Sequence, residues 1–322
     1  MSRKELHKII RTLERTERRK QLYTAGATLV VALAALGGVA LVTRHPAEPA
    51  AAMATTTPAV NAYAGIHLVG EAAIVYDLTT GETLYEQNAD AQLPLASLTK
   101  LLTMYAAAGT LTNTAPVVIT PTAIATEGDS GLREGEVFTF NDLARFALVA
   151  SSNDAAEAIA EAAEAKRASS ASQMLADAAS AAGLSETYAL NSTGLDESAF
   201  ESGGYGSARD VALLAGEFLK EAPSIAAATI EPSITVSSEQ GIRHTLLNTN
   251  QDVVHIPGLL LSKTGYTDLA GGNLAVVFDA GINHPIAAVV LGSTESARFT
   301  DVNALVAATL AHFANTPAPS LP

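Results

Sequence analysis

The sequence contains no cysteine. That excludes disulfides, thiolate metal sites and a cysteine nucleophile, and it is compatible with an oxidising exterior. The seven histidines are scattered, with no HExxH or other close ligand spacing, so no zinc-hydrolase ligand set is visible and neither a metal nor a cofactor is expected. Charge is scarce: charged residues make up 16% of the chain against 48% hydrophobic ones. Apolar surface is therefore ample for a core, and global disorder is not expected. No repeat of roughly 20 to 50 residues is present, which excludes a solenoid.

What charge there is lies unevenly. Residues 1–21 hold 8 Lys/Arg against 3 Asp/Glu, and that local balance of +5 leaves the rest of a chain of net charge -14 at -19. An acidic body repels phosphate backbones, so nucleic acid is not an expected partner, whereas a basic leader suits the inner face of a membrane. Residues 22–43, LYTAGATLVVALAALGGVALVT, carry no charge over a length that crosses roughly 30 Å of hydrocarbon as a helix. The absence of a polar face separates this stretch from a buried core helix. It reads as a transmembrane helix in the lipid bilayer. The h-region of a cleaved signal peptide is usually shorter, about 7 to 15 residues. The small residues of 47–54 still offer a cleavage site, and retention is the preferred reading. Arg15, Arg18, Arg19 and Lys20 precede the span and only Arg44 closely follows it. The positive-inside rule then puts the N-terminus in the cytoplasm and everything after residue 43 outside. The expected localisation is the cell membrane, single-pass, with the folded body extracytoplasmic.

A length of 322 residues exceeds the usual single domain, but one domain with an anchor and a tail accounts for it. The expected organisation is a basic segment at 1–21, the helix at 22–43, an Ala/Pro/Thr-rich tether at 44–62, a body at 63–314 and a Pro-rich tail at 315–322. Within the body, EAAIVYDLTTGETLYEQN alternates apolar and polar residues about a Gly turn, the pattern of a hairpin with one buried face. GGNLAVVFDAGINHPIAAVVLG holds two further β-rich runs, and LLLSKTGYT can supply a neighbouring strand. Helical sequence lies between: SLTKLLTMYAAAG, then TFNDLARFALVAS with a capping start at Thr139 and Asp142, then the Ala- and Glu-rich run 154–182. A terminal helix is expected over about 300–313. Strands, helices, then strands predict an α+β fold, with helices on one antiparallel sheet built from both chain ends.

Three short strings carry chemistry. In Ser97-Leu98-Thr99-Lys100 the serine opens a predicted helix, which puts Lys100 one turn away on the same face. A serine needs a base, and a lysine can be that base when burial and nearby positive charge leave it neutral. Lys263 is a candidate for that second charge. The unpaired N–H groups at the helix start, with the Ser97 N–H as one candidate, can hold a developing oxyanion. Ser151-Ser152-Asn153 lies in a short loop between helices, where Ser151 can relay a proton and the Asn153 amide can orient a peptide. Lys263-Thr264-Gly265 ends an apolar strand. Gly265 would admit substrate backbone, Thr264 and Thr267 could bind a terminal carboxylate, and the Tyr266 N–H could complete the oxyanion hole. Each string alone is more often a cap, a solvated side chain or a surface strand; their occurrence together in this order is the signal.

The set SxxK, S-x-N and KTG resembles that of penicillin-binding proteins and class A β-lactamases. With SGLREGEVFTFNDLARFALVASSNDAAEAIAE, NSTGLDESAFESGGYGSARDVALLA, LLNTNQ and SKTGYTDLAGGNLAVV it is similar, over residues 70–313, to the D-alanyl-D-alanine carboxypeptidase family. The resemblance implies a β-lactamase/transpeptidase-like fold with an all-helical subdomain. It implies Ser97 as the acylated serine, Lys100 as its base, Ser151 with Asn153 as the second motif and Lys263, Thr264 and Gly265 as the third. Arg298, in GSTESARF, would help hold the substrate carboxylate. Peptidoglycan stem peptides are the implied substrate and β-lactam antibiotics the covalent inhibitors. Two departures are visible: Ser152 stands where the family often has Gly, and no β-rich C-terminal domain follows. Short members of the family include D,D-endopeptidases, which leaves the bond cleaved open. A serine β-lactamase would need a glutamate to activate water, but Glu186 sits in GLSETYALNSTGLD and reads as a turn residue. A catalytically silent peptidoglycan-binding protein is the remaining alternative.

Overall fold

A computed structural model describes residues 61–315 of the chain. The expected transmembrane helix, the basic segment before it, most of the tether and the tail beyond residue 315 lie outside the described residues. Among the described residues no helix is long and apolar enough to cross a membrane.

Strands β1 (Ala72–Asp77) and β2 (Thr83–Gln87) come first, followed by the two-residue β3 (Leu93–Pro94) and a 3-10 turn at Ala96–Leu98. Then come α1 (Thr99–Ala108), β4 (Pro116–Val118), α2 (Pro121–Ala125), β5 (Val137–Thr139), α3 (Phe140–Val149), α4 (Asn153–Arg167) and α5 (Ala171–Ala181). Short strands β6 (Tyr188–Ala189) and β7 (Gly204–Gly206) lead to α6 (Ala208–Glu221), α7 (Pro223–Ala228) and the hairpin of β8 (Ser233–Ser237) and β9 (Arg243–Leu247). The described region closes with β10 (Leu259–Thr267), β11 (Gly271–Asp279), β12 (Pro285–Ser293) and α8 (Ala297–Asn315).

The main sheet runs β10-β11-β12-β1-β2, antiparallel throughout. The first and last strands of the described region meet in it, because β1 pairs with β12 from Ala72↔Leu291 to Asp77↔Ile286. Successive side chains on a strand point to opposite faces, and here the two faces feed two cores. Ile74, Val277 and Val289 join the core shared with α1, α3, α4 and α6. Val75, Val276, Phe278 and Val290 join the core under α8, with Val302, Leu305 and Val306. The first hairpin therefore differs from its expected single buried face. Strand β1 lies between β12 and β2 with α8 covering its second face, so Ala72 to Val75 are fully buried, and solvent exposure is left to Tyr76 and the edge strand β2.

The helices start where small polar side chains accept otherwise unpaired N–H groups. Thr139 takes the Asp142 N–H at 3.1 Å, as expected, and Ser152, Ser170 and Ser207 cap α4, α5 and α6 in the same way. The run 154–182 is two helices, because Ala168 turns left-handed at φ 56°. The middle of the chain is not all helical either. Strands β4 and β5 pair, and the hairpin of β8 and β9 brings Ile234, Val236 and Leu246 into the core with α3. Three-residue strands such as β4 and β5 are too short to show a period of two in sequence.

Candidate active site

The three strings converge. Ser97 lies in the 3-10 turn directly ahead of α1, so Lys100 follows one turn later, and its Nζ is 2.8 Å from Ser97 Oγ. Ala96, next to the serine, is held at φ 48°, a conformation non-glycine residues adopt rarely and which marks an over-determined backbone. Ser151 shares that conformation, at φ 58°. It forms the sharp turn between α3 and α4, and α4 begins at Asn153.

Lys100 has no exposed surface. Its Nζ also reaches Asn153 Oδ1 at 2.6 Å and the Thr193 carbonyl at 2.8 Å. Burial lowers its pKa to about 7, against a smaller opposing pull from the Asp154 carboxylate; desolvation disfavours the charged form. Lys263, 1% exposed, approaches from β10 and donates to Ser151 Oγ at 2.9 Å and to the Thr264 carbonyl at 2.6 Å. Burial, then the charges of Lys100 and Arg298, hold Lys263 well below the ordinary lysine range.

Strand β10 forms the open edge of the main sheet and lies against the serine's turn. A Cβ on Gly265 would sit 2.8 Å from the Leu95 carbonyl oxygen and 3.3 Å from the Leu98 nitrogen, so only glycine lets strand and turn approach this closely. Gly194 performs the same service on the other side. At φ +77° its Cβ would fall 1.9 Å from the Ala96 carbonyl oxygen, and its loop is the one whose Thr193 carbonyl receives Lys100.

The remaining expected residues divide. Thr264 Oγ1 pairs with Thr249 Oγ1 at 2.7 Å, and Tyr266, half exposed, follows on the strand. Arg298, at the start of α8, is buried and donates through Nη1 to the Gly265 carbonyl at 2.7 Å, which adds positive charge behind the strand. Thr267 is committed elsewhere: its hydroxyl donates to Asp196 at 2.9 Å and accepts from the Ala270 N–H at 3.2 Å. Glu186 is tied through its backbone to Asp210 and Gln92. No cluster of metal-ligating side chains occurs among the described residues.

Several residues that build the site had no assigned role in the sequence. Asn191 Oδ1 accepts from the amides of Thr193 and Gly194 and so shapes the loop that presents the Thr193 carbonyl. The Glu127 carbonyl receives Asn153 Nδ2 at 2.7 Å, and Asp196 holds the end of β10 through Thr267 and the Leu269 N–H. A main-chain carbonyl leaves no trace in residue type. The side chains concerned, Asn191 and Asp196, lie in NSTGLD, a string conspicuous in sequence but with nothing in its spacing to fix their function.

Chemically, the site is a serine hydroxyl on one desolvated amine, with a second desolvated amine on Ser151, beside a strand edge, an arrangement suited to nucleophilic attack on an extended peptide. Comparison with known sequences finds a match over residues 55–295 to the family described as D-alanyl-D-alanine carboxypeptidase. The chain is 31% identical to D-alanyl-D-alanine carboxypeptidase DacF of Bacillus subtilis over 243 residues, 73% of this chain and 61% of that protein. It is 32% identical to DacA of Escherichia coli over 244 residues, 71% of this chain and 57% of that protein. The match thus spans about three fifths of these relatives. Among solved structures, ampicillin-bound Penicillin-Binding Protein D2 from Listeria monocytogenes superposes with a TM-score of 0.65 at 27% identity, covering 76% of this chain and 98% of that one.

Proposed function

Because the chain belongs to the D-alanyl-D-alanine carboxypeptidase family, we propose that it removes the terminal D-alanine from peptidoglycan stem peptides through an acyl-enzyme on Ser97. The observation that carries this reading is the fully buried Lys100 amine, 2.8 Å from Ser97 Oγ, with a pKa lowered to about 7. An ammonium can only donate. A neutral amine can give its two N–H bonds to Asn153 Oδ1 and the Thr193 carbonyl and keep its lone pair for the serine proton.

In the proposed reaction, Lys100 takes the Ser97 proton as Oγ attacks the carbonyl between the two D-alanines. The resulting oxyanion lies between the Ser97 and Tyr266 N–H groups, where the turn and β10 come closest. As the C–N bond breaks, the leaving amine receives a proton through Ser151, which Lys263 orients. Asn153 and the edge of β10 align the peptide, and Gly265 lets that edge lie close against the serine's turn. The terminal carboxylate falls to Thr264 and to the positive charge of Arg298, while Thr267, bound to Asp196, secures the end of the strand. Water then hydrolyses the ester and returns Ser97. A β-lactam would acylate the same hydroxyl by ring opening, which fits the ampicillin named for the Listeria relative.

Residues 22–43 are read as the membrane anchor and the body after residue 62 as extracytoplasmic, on the strength of the charge pattern around the span. One experiment tests both parts. The full chain is expressed in cells, labelled with a fluorescent penicillin and digested for mass spectrometry, with defined monomeric and cross-linked muropeptides assayed in parallel. The expected results are a membrane-bound adduct on Ser97 that is absent in Ser97→Ala, loss of one D-alanine from the monomer, and destruction of the body by protease added outside spheroplasts. No adduct, or rapid turnover of penicillin, would overturn the wall-enzyme reading. Cleavage of cross-links alone would make the protein an endopeptidase, and a protease-resistant body would overturn the topology.

A further inference from the structure

Behind the second motif lies a hydrogen-bonded group that the reaction above does not use. Asp154, the second residue of α4, is 2% exposed, and Ser152 before it is 4% exposed. The Asp154 carboxylate accepts from the Ser152 hydroxyl, from the Ser130 hydroxyl and from the Ala155 N–H. The two serine hydroxyls are themselves 2.7 Å apart. A buried carboxylate is costly unless its oxygens are occupied, and here one of the three donors comes from a different segment, the loop 126–135.

That loop touches the second motif twice. Ser130 reaches Ser152 and Asp154, while the Glu127 carbonyl takes Asn153 Nδ2 at 2.7 Å. Between these contacts a Cβ on Gly128 would lie 3.2 Å from Asn153 Nδ2, so any side chain at that position would crowd the amide. The far end of the same amide holds Lys100. An ordinary helix cap requires only Ser152 and the Ala155 N–H, at 3.1 Å; it requires neither Ser130 nor the carboxylate.

We propose that Asp154, clasped by Ser130 and Ser152, is a positioning residue of the acyl-transfer site: it pins the loop 126–135 to the Ser151–Asn153 turn and sets the electrostatic field at Lys100. The proposal rests on the Ser97 acyl-enzyme reading. The effect is geometric through Asn153 and Ser151, and electrostatic through the carboxylate, which favours the ammonium form of Lys100 against burial. The other charges around that amine are accounted for. Lys263 faces it from β10 with Arg298 behind, and Glu157 on α4 is bound by Ser192, next to the Thr193 carbonyl. Charged side chains on the other helices packed against α1 are engaged away from it: Arg145 with Asp142, Asp177 with Arg167, Arg209 with Asp90 and Glu86, and Asp210 with Thr187.

The test is the rate of acylation by a fluorescent penicillin, measured on the full chain from mildly acid to mildly alkaline pH, with thermal melting as the check on folding. Ser130→Ala and Ser152→Gly keep the carboxylate and remove one arm of the clasp, and glycine is itself a good helix cap. Both are expected to acylate about tenfold more slowly with the acid limb of the profile in place, since small misplacements near reacting groups cost rate. Ser152→Thr restores the hydroxyl and is expected to restore the rate. Asp154→Asn is expected to move the midpoint of the acid limb to lower pH, because the charge that favoured the ammonium form has gone. Wild-type rates in both serine variants, or an unmoved midpoint in Asp154→Asn, would overturn the proposal. Absence of acylation in the wild type would instead overturn the acyl-enzyme reading beneath it.

Discussion

Lys100 stands out among the residues of this protein as a lysine with no exposed surface whose three hydrogen-bond partners are all uncharged. Its pairing with Ser97 was legible from spacing, because residues three apart in a helical turn share a face. The Thr193 carbonyl and the Asn153 amide that complete its surroundings were not, since they arrive from segments separated by tens of residues. On the proposed mechanism, replacing the amine leaves the serine without a base. Lys100→Ala should therefore lower the acylation rate at least about a hundredfold, the range usual for removing a general base, with folding intact by circular dichroism. On the same mechanism the working form in the wild type is the neutral amine. With a pKa of about 7, the neutral fraction is half near that pH and declines steadily below it, so the acylation rate should fall toward acid with a midpoint there. A profile flat through neutral pH would contradict the base assignment.

At the scale of elements, much of the pattern was readable. The hairpin of β1 and β2, the Thr139 cap of α3, the final helix and the β10 to β12 meander all follow alternation, caps and turn residues. The break between α4 and α5 was hidden, because the residue that makes it is an alanine. Ala168 closes α4 in the left-handed conformation, φ 56° and ψ 38°, with its N–H on the Glu164 carbonyl. Helices usually stop this way on glycine, which lacks the Cβ that makes the conformation costly. Ala168 is exposed, so Ala168→Gly removes strain without opening a cavity. It should stabilise the fold by about 1 kcal/mol and raise the melting temperature by a few degrees, with acylation unchanged. A lower melting temperature would refute the strain argument.

At the scale of the whole molecule, the described region is held by a sheet that its first and last strands complete together. One contact ties its turns. The carboxylate of Asp77, at the end of β1, takes the Thr79 and Thr80 N–H groups at 2.8 and 3.0 Å and lies 2.7 Å from His284 Nε2, just ahead of β12. Burial raises the Asp77 pKa, but the bonds from His284, Thr80 and Thr79 together outweigh it and leave it below the ordinary aspartate value. A carboxylate with a depressed folded pKa contributes stability above its unfolded value, and that stability is lost as pH falls through the folded one. Asp77→Ala should accordingly destabilise the protein at neutral pH by about 1 to 3 kcal/mol, since buried donors lose their acceptor. The gap to the wild type should close in acid below the usual aspartate range, as measured by denaturant unfolding. A gap independent of pH would mean that Asp77 acts by packing alone.

The sequence by itself determined the class of fold, the one-turn spacing that sets Lys100 against Ser97, and the three short strings that the fold brings together. Those properties are local: periodicity, capping and a one-turn spacing operate within a dozen residues and need no partner from elsewhere in the chain. Only the tertiary structure decided which groups surround the reactive amines, that Thr267 is spent on Asp196, that β1 is buried on both faces, and that a carboxylate clasp backs the second motif. Burial and hydrogen bonding between distant segments depend on where the backbone passes in space, and it is these that leave the Lys100 amine desolvated against Ser97 and lower its pKa.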